Sequence, residues 1–393
     1  MITGFFASIP AMIMLTGVLV GASGALLGSF LVLRGNAMLT DAISHSIVLG
    51  IVLAWLVTRQ LDGPLPLLGA AMAGVLTVML TELLARSRLV RMDAAIGLVF
   101  PALFAAGVLL ISLHARDMHL HAESVLLGEI GYVWLNTITL GGHRVPVAVV
   151  TLSAVLLVNL AFVLALWKEL KLASFDPGLA AALGFAPGLL HYALLTLTSV
   201  TAVASFDAVG VILFIAFVIV PPATALLLTR RLWLVVMLAV GLSVASCLIG
   251  YALALMWNVS IAGMMASMTG FWFALALILA PRRGLLAQTL NARALRLDLD
   301  CIVLVAHLHT HQQSAEMAEE NTRRALITHL RWPERRARAA ILRAHDRGLI
   351  ERRGGLLVLR AKGLAEAEAM LGVAAAPGAA QEARAADAPD HAS

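Results

Sequence analysis

Nine long apolar runs constrain this chain more than any other feature of its sequence. Each is about 20 residues long, the length that a helix needs to cross a hydrocarbon core about 30 Å thick. The runs lie near residues 9–33, 38–57, 65–85, 94–113, 146–167, 190–205, 208–228, 233–253 and 261–280. With 61% hydrophobic and 13% charged residues, the chain has more apolar surface than a soluble domain can bury. The sequence predicts an all-α polytopic membrane protein with about eight or nine transmembrane helices.

Basic residues at alternate junctions between these runs predict the orientation of the chain. The positive-inside rule assigns such junctions to the cytoplasm. They carry Arg34, Arg86, Arg88, Arg91, Lys168, Lys171, Arg230, Arg231, Arg282 and Arg283. The N-terminus is therefore expected outside and the C-terminus inside, which requires an odd number of spans.

An odd number of spans requires that the long run 190–228 be divided, and we divide it at residues 205–207. Its first half is short and rich in Thr and Ser, so a half-crossing is the alternative to a full span. Pro221 and Pro222 are expected to kink or end the second half, because proline removes a helical hydrogen bond.

Asp41 and His45 stand four residues apart inside the second apolar run, so on a helix they share one face, one turn apart. An ionisable residue at bilayer depth is costly and usually faces a bundle interior or a water-filled path. A carboxylate with an imidazole suits manganese, iron or zinc. The alternative is structural, with Asp41 capping the helix and His45 bonded to a carbonyl. Asp207, the other acidic residue considered near bilayer depth, is a secondary candidate.

The predicted extracytoplasmic loop between residues 114 and 145 is rich in metal-binding residue types. It carries His114, His119, His121, Glu123 and His143. Such side chains can bind metal, but a solvated loop tolerates polar residues freely and these have no fixed ligand spacing. We therefore interpret them as ordinary loop residues.

A short polar and small-residue segment interrupts the apolar runs on the predicted cytoplasmic side. Asp176 is a plausible N-cap, Pro177 fits the first helical position and Gly184 fits the stop. The pattern predicts a short helix over 177–183 at the cytoplasmic face. Such a helix, with Ala180, Ala181 and Ala182 on it, either connects two spans or docks into a partner.

After Arg283 the composition becomes charged, and residues 284–372 are predicted to form a small cytoplasmic α+β domain. The pattern is helical to about residue 347, and two short strands follow about a Gly-Gly turn, as in a winged helix. His307 and His311 stand one turn apart, with His309 between them, and could sense cytoplasmic metal. The sequence identifies no partner carboxylate for them. The tail 373–393 is expected to be disordered.

Four blocks in residues 1–283, the predicted membrane domain, together resemble the permease family of zinc, manganese and iron ABC importers. The blocks are Leu33-Arg-Gly-Asn-Ala-Met-Leu-Thr-Asp-Ala-Ile-Ser-His-Ser, Leu126-Leu-Gly-Glu-Ile, Lys168-Glu-Leu-Lys-Leu-Ala-Ser-Phe-Asp-Pro, and Ala208-Val-Gly-Val-Ile-Leu through Val220-Pro-Pro-Ala-Thr-Ala225. The resemblance implies a homodimeric permease of the type II importer class in a bacterial cytoplasmic (inner) membrane. Two cytoplasmic ATPase subunits would energise it, and an extracytoplasmic metal-binding protein would supply the ion.

The resemblance also implies roles for individual residues. Asp41 and His45 match the family's Asp-x-x-x-His pair, which would line the metal pathway at the dimer interface. The Phe-Asp-Pro block matches the coupling helix, which places residues 175–184 in the ATPase groove. The coupling candidates are Phe175, Asp176, Pro177, Ala181 and Gly184. The C-terminal region resembles the winged-helix segment of metal-dependent regulators, with 334–347 as its recognition helix. Because the chain is tethered to a membrane, DNA is not expected as a partner.

No catalytic constellation is evident in the sequence. There is no phosphate-cradling Gly-rich loop followed by Lys-Ser/Thr, so ATP hydrolysis is assigned to a separate subunit. No tightly bound cofactor is expected, only the transported divalent ion. That ion is manganese, zinc or iron, and the analogy with the regulators favours manganese. The alternative functions are a membrane-tethered metal sensor and a stand-alone secondary metal carrier.

Overall fold

A computed structural model describes residues 8–59, 64–114, 130–140, 143–281, 284–312, 314 and 317–371. The chain divides into two compact units between Gly284 and Leu285. The first unit is helical apart from one small hairpin, and the second combines helices with a second hairpin.

The helices of the first unit follow the apolar runs of the sequence closely. They are α1 (Ile9–Leu33), α2 (Ala37–Thr58), α3 (Pro64–Arg86), α4 (Met92–His114), α5 (Val147–Ala165), α6 (Trp167–Phe175), α7 (Pro177–Ala182), α8 (Pro187–Leu228), α9 (Leu232–Trp257) and α10 (Ile261–Leu279). In the described residues, nine helical stretches are long and apolar enough to cross a membrane, and two of them, Pro187–Phe206 and Ala208–Leu228, belong to α8. The predicted polytopic helical fold is confirmed.

The backbone break in α8 differs from the one that the sequence predicts. Gly210 is the non-helical residue, with φ 77° and ψ 168°, whereas the prediction placed the break at residues 205–207. This conformation favours glycine because a Cβ would clash there. The helix then continues through Pro221 and Pro222 to Leu228, so the expected helix end at these prolines is wrong, whereas the expected kink stays a prediction. Neighbouring helices and side chains compensate for proline inside membrane helices.

Glycines allow the helices of the first unit to approach one another closely. A Cβ on Gly28 of α1 would lie 2.0 Å from the carbonyl oxygen of Val218 on α8. A Cβ on Gly50 of α2 would lie 2.1 Å from the carbonyl oxygen of Gly69 on α3. Such small residues bring backbones together where lipid provides no hydrophobic driving force for helix association. The two contacts fix α1 on α8 and α2 on α3.

Part of the predicted extracytoplasmic loop forms a hairpin that the sequence did not predict. A 3₁₀ helix, Ile130–Leu135, leads into β1 (Thr137–Leu140), which pairs antiparallel with β2 (His143–Pro146). His114 ends α4. The other loop candidates, His119, His121, Glu123 and the side chain of His143, lie outside the described residues, as does the side chain of Asp207.

The second unit is a small α+β fold. Its elements are α11 (Leu285–His311), α12 (Met317–Glu320), α13 (Arg323–His329), α14 (Glu334–Asp346), β3 (Ile350–Arg353), β4 (Leu356–Leu359) and α15 (Ala361–Leu371). The hairpin turns at Gly354 and Gly355, which both have a positive φ. A two-residue turn needs such φ values to match the twist of the two strands. The predicted helices and hairpin are confirmed, whereas the assignment to the winged-helix class stays a prediction. The tail from residue 373 lies outside the described residues.

Carboxylates on α11 bind the basic side chains of the predicted recognition helix. The guanidinium of Arg336 donates to both oxygens of Asp300, at 2.6 and 3.0 Å. Asp298 lies 3.2 Å from Arg343 and 3.5 Å from Arg347. These pairs attach α14 to α11 and engage three arginines of the predicted recognition helix.

Candidate functional site

Asp41 and His45 lie on one face of α2, one turn apart, as their spacing predicts. The His45 Nε2 atom is 3.5 Å from Asp41 Oδ1, and the two side chains are 33% and 42% exposed. The imidazole packs on α4, stacked on Phe100 at 5.7 Å between ring centroids and edge-on to Phe104 at 6.1 Å. The aromatic rings hold the histidine in place, and half-exposure leaves both polar groups open to a ligand.

The structural alternative for Asp41 does not fit the position of this residue in α2. The helix begins at Ala37 with Asn36 as its N-cap, so Asp41 lies beyond the first turn. A cap must precede the first helical residue to reach the free N–H groups. The side chain of Asp41 instead faces His45, which leaves a carboxylate and an imidazole side by side, a pair that suits first-row divalent ions.

A second polar cluster in the first unit was missed by sequence reasoning. Glu82 on α3 is 13% exposed, and its Oε1 atom lies 2.8 Å from Nε2 of His191 near the start of α8. Tyr192 also donates to this carboxylate, and Arg86 lies 3.4 Å from it. Glu82 falls inside the predicted span 65–85, so the cost of a buried carboxylate could have singled it out. Its partner His191 could not be found that way, because the pair is distant in sequence.

The segment after α6 forms the short capped helix that the sequence predicts. Asp176 Oδ1 accepts a hydrogen bond from the Leu179 N–H at 2.8 Å, and Pro177 opens α7. At the other end Gly184 has a φ of +86°, and the N–H groups of Gly184 and Phe185 donate to the carbonyls of Ala181 and Ala180. This pair of bonds is a Schellman motif. The helix ends at Ala182, one residue earlier than predicted.

The outer face of α7 and its flanks is apolar and exposed. Phe175, Leu179, Leu183 and Phe185 are all more than a third exposed, and Ala181 and Gly184 are exposed beside them. Ala180 points the other way and packs against Ala173 and Leu190. The helix α7 is not among the candidate spans, and exposed apolar patches outside spans mark interaction sites.

A hydrogen bond attaches the segment before α7 to the end of α1. Arg34 Nε donates to Ser174 Oγ at 3.0 Å, and the Ser174 hydroxyl donates to the Leu170 carbonyl at 2.6 Å. Arg34 is the C-cap of α1, and α2 begins at Ala37. The exposed apolar segment is therefore connected through one side-chain pair to the turn that leads to Asp41.

Two curated relatives are similar to this chain, and their alignments cover different lengths of it. The zinc transport system membrane protein TroD of Treponema pallidum is 43% identical over 361 residues, which cover 92% of this chain and 98% of TroD. The manganese transport system membrane protein MntD of Bacillus subtilis is 48% identical over 285 residues, which cover 72% of this chain and 96% of MntD. Both relatives are therefore matched over nearly their whole lengths.

A solved structure and a family profile agree with these relatives. The structure of PsaBC from Streptococcus pneumoniae in complex with a Fab is 25% identical, with a TM-score of 0.59 over 72% of this chain and 98% of that chain. The profile of the ABC 3 transport family matches residues 9–280, which include Asp41, His45, Glu82 and α7. This chain is thus a member of the ABC 3 transport family.

Proposed function

We propose that the chain is the permease subunit of an ABC importer that carries a divalent transition metal ion into the cytoplasm. Membership of the ABC 3 transport family supports the class of protein. The names of its relatives TroD and MntD, zinc and manganese transport proteins, support the class of substrate. A carboxylate and an imidazole accept manganese, zinc or ferrous iron, and the analogy with metal-dependent regulators favours manganese.

The observation that carries this proposal is the pair formed by Asp41 and His45. Both side chains project from one face of a membrane-spanning helix, 3.5 Å apart and half-exposed. At this position the described residues of one chain bring together these two ligands, too few to replace much of an ion's hydration shell. A second copy related by a twofold axis would supply two more. We therefore propose a homodimer in which both pairs line one metal pathway.

The apolar face of α7 is proposed as the docking site of a cytoplasmic ATPase subunit. Four large apolar side chains, Phe175, Leu179, Leu183 and Phe185, are exposed there outside the spans. Asp176, Pro177 and Gly184 fix the ends of α7, and Ala181 adds a small residue to its outer face. This face favours an ATP-driven importer over a secondary carrier, because a carrier needs no ATPase dock.

The contact between Arg34 and Ser174 suggests how ATP hydrolysis moves the metal site. A displacement of α7 by the ATPase would shift α6, whose Ser174 hydroxyl accepts from Arg34 at 3.0 Å. Arg34 precedes the short turn into α2, so the displacement would reach Asp41 and His45 through a rigid helix. Rigid elements with side-chain contacts can transmit such motion between two sites.

The distribution of basic residues supports an arrangement of the permease in a bacterial inner membrane. Arginines and lysines follow α1, α3, α5 and α8, and by the positive-inside rule this supports a cytoplasmic position for these junctions. The N-terminus then lies outside, α7 and the second unit lie in the cytoplasm, and an extracytoplasmic metal-binding protein delivers the ion to the opposite face.

Uptake of radiolabelled manganese and zinc tests this proposal. The full chain is reconstituted with its ATPase in proteoliposomes, and ATP-dependent uptake is compared among wild type, Asp41→Ala and His45→Ala. We expect both substitutions to reduce uptake to background while the ATPase still copurifies. Asp93→Ala, which removes an exposed carboxylate from the first turn of α4, is the control and should transport normally. Normal uptake by both Asp41→Ala and His45→Ala would contradict the proposed route.

A further inference from the structure

A second group of metal-ligating side chains lies in the C-terminal unit, far along the chain from Asp41. His307 and His311 stand on one face of α11, and Glu320 ends α12. One candidate ligand atom from each of these three residues lies within 4.8 Å of the other two. Glu320 is the partner carboxylate that the sequence alone does not identify, because the chain turns between α11 and α12 to bring it back.

The contacts within this cluster converge on the Glu320 carboxylate. The Nε2 atom of His307 lies 3.9 Å from Glu320 Oε2, and the rings of His307 and His311 are 4.8 Å apart between centroids. A third imidazole, that of His329 at the end of α13, places its Nδ1 atom 2.5 Å from the same Oε2 atom. Three imidazoles from two helices therefore surround one carboxylate.

The cluster is also well shielded from solvent at its centre. The side chains of His307 and Glu320 are 9% and 15% exposed. The Nε2 atom of His307 also lies 3.3 Å from the backbone carbonyl oxygen of Glu320, which holds the ring beside the end of α12. A shielded carboxylate beside imidazoles is a combination of ligand types that first-row divalent cations accept.

We propose that the C-terminal unit binds one first-row divalent metal ion through His307, His311 and Glu320, with His329 orienting the carboxylate. Two histidines four residues apart on a helix, joined by a carboxylate from a later segment, can form three corners of a tetrahedral zinc site. Bonds of about 2.0–2.2 Å to zinc would draw the ligand atoms closer together than they lie in the metal-free arrangement. The bound ion would cross-link α11 and α12 and respond to metal on the cytoplasmic side.

Cobalt(II) titration of the purified full chain tests this site, because cobalt in a tetrahedral site absorbs visible light. The parent protein carries Asp41→Ala and His45→Ala, so the result does not depend on the transport site or on transport. We expect saturable absorption at one cobalt per chain, reversed by zinc. Adding His311→Ala or Glu320→Gln to this parent should abolish the band, and adding His329→Gln should weaken binding by about 10–100-fold, the usual effect of losing a residue that supports a ligand.

His345→Ala provides the matched control, since His345 is an exposed histidine on α14 outside the cluster. It should bind cobalt as the parent does. Glu320→Gln keeps the size of the side chain, so its loss of binding cannot be attributed to a cavity. If the parent shows no saturable band, or if His311→Ala and Glu320→Gln both retain it, the cluster is only a structural contact between α11, α12 and α13 and the proposed site is wrong.

Discussion

The two units of this chain present metal-ligating side chains in contrasting ways. In the membrane unit, Asp41 and His45 provide two ligands on one helix, and both are a third or more exposed. In the C-terminal unit, His307, His311 and Glu320 come from two helices, and their ligand atoms cluster within 4.8 Å. A transported ion must leave its site again, and the exposed pair of Asp41 and His45 would allow this. The shielded C-terminal cluster is better suited to retaining an ion.

The lengths of the alignments with the relatives also distinguish the two units. The alignment with MntD spans 285 residues, close to the 284 residues of Met1–Gly284. The alignment with TroD spans 361 residues and therefore extends into the second unit. The family profile covers residues 9–280, which lie within the first unit. We therefore attribute the proposed transport function to the first unit.

The largest expected effect comes from Leu183→Asp on the outer face of α7. Leu183 is 61% exposed, so the charge should not disturb folding but should disrupt an apolar interface with the ATPase. We expect loss of ATPase copurification and of uptake, measured on the same preparation. Leu89→Asp changes a still more exposed leucine, 85% exposed, in another junction and should leave both intact. An active Leu183→Asp transporter would remove α7 from the coupling route.

A second large effect is expected from Gly28→Leu in the membrane unit. A Cβ at this position would meet the Val218 carbonyl at 2.0 Å, so α1 and α8 must separate, at a cost of about 3 kcal/mol. Thermal unfolding of the detergent-purified protein should show this loss, whereas cobalt binding by the C-terminal cluster should persist. Gly97→Leu in α4, where no atom of the described structure lies within 4 Å of the added Cβ, is the control. Equal stability of the two variants would contradict the close contact.

A smaller effect, confined to the second unit, is expected from Thr322→Ala. The Thr322 hydroxyl caps α13 by accepting from the Ala325 N–H at 3.1 Å, and loss of such a cap costs about 1 kcal/mol. Hydrogen exchange should show faster opening of α13, while metal uptake stays unchanged. Thr328→Ala, which removes an exposed hydroxyl from the same helix, should change exchange less. A fall in uptake with Thr322→Ala would mean that transport depends on the second unit.

The membrane fold could be predicted because its signal is local. A run of about 20 apolar residues has few structures available to it in lipid, and the nine runs became nine candidate spans in the described residues. The ends of α7 were also predictable, since Asp176, Pro177 and Gly184 each act on their own neighbours. The break in α8 was misplaced because Gly210 is one of many glycines in the chain, and only tertiary packing decides which one adopts a positive φ.

The parts that escaped prediction depend on contacts between residues distant in sequence. Glu82 meets His191 only because α3 packs beside the start of α8. Glu320 meets His307 only because α12 folds back on α11. Periodicity places residues on one face of one element, but it does not say which other element will face them. Asp41 and His45 could be paired from the sequence because both belong to a single helix.

The most direct test of this division combines truncation with a single substitution. The chain is truncated after Gly284, reconstituted with its ATPase and assayed for ATP-dependent manganese uptake, with and without the substitution Asp41→Asn. This substitution keeps the size of the side chain and removes its charge. The account predicts that the truncated chain transports and that Asp41→Asn abolishes its uptake. If the truncated chain is inactive while the full chain transports, or if truncated Asp41→Asn transports normally, the assignment of the ion route to Asp41 in the first unit is contradicted.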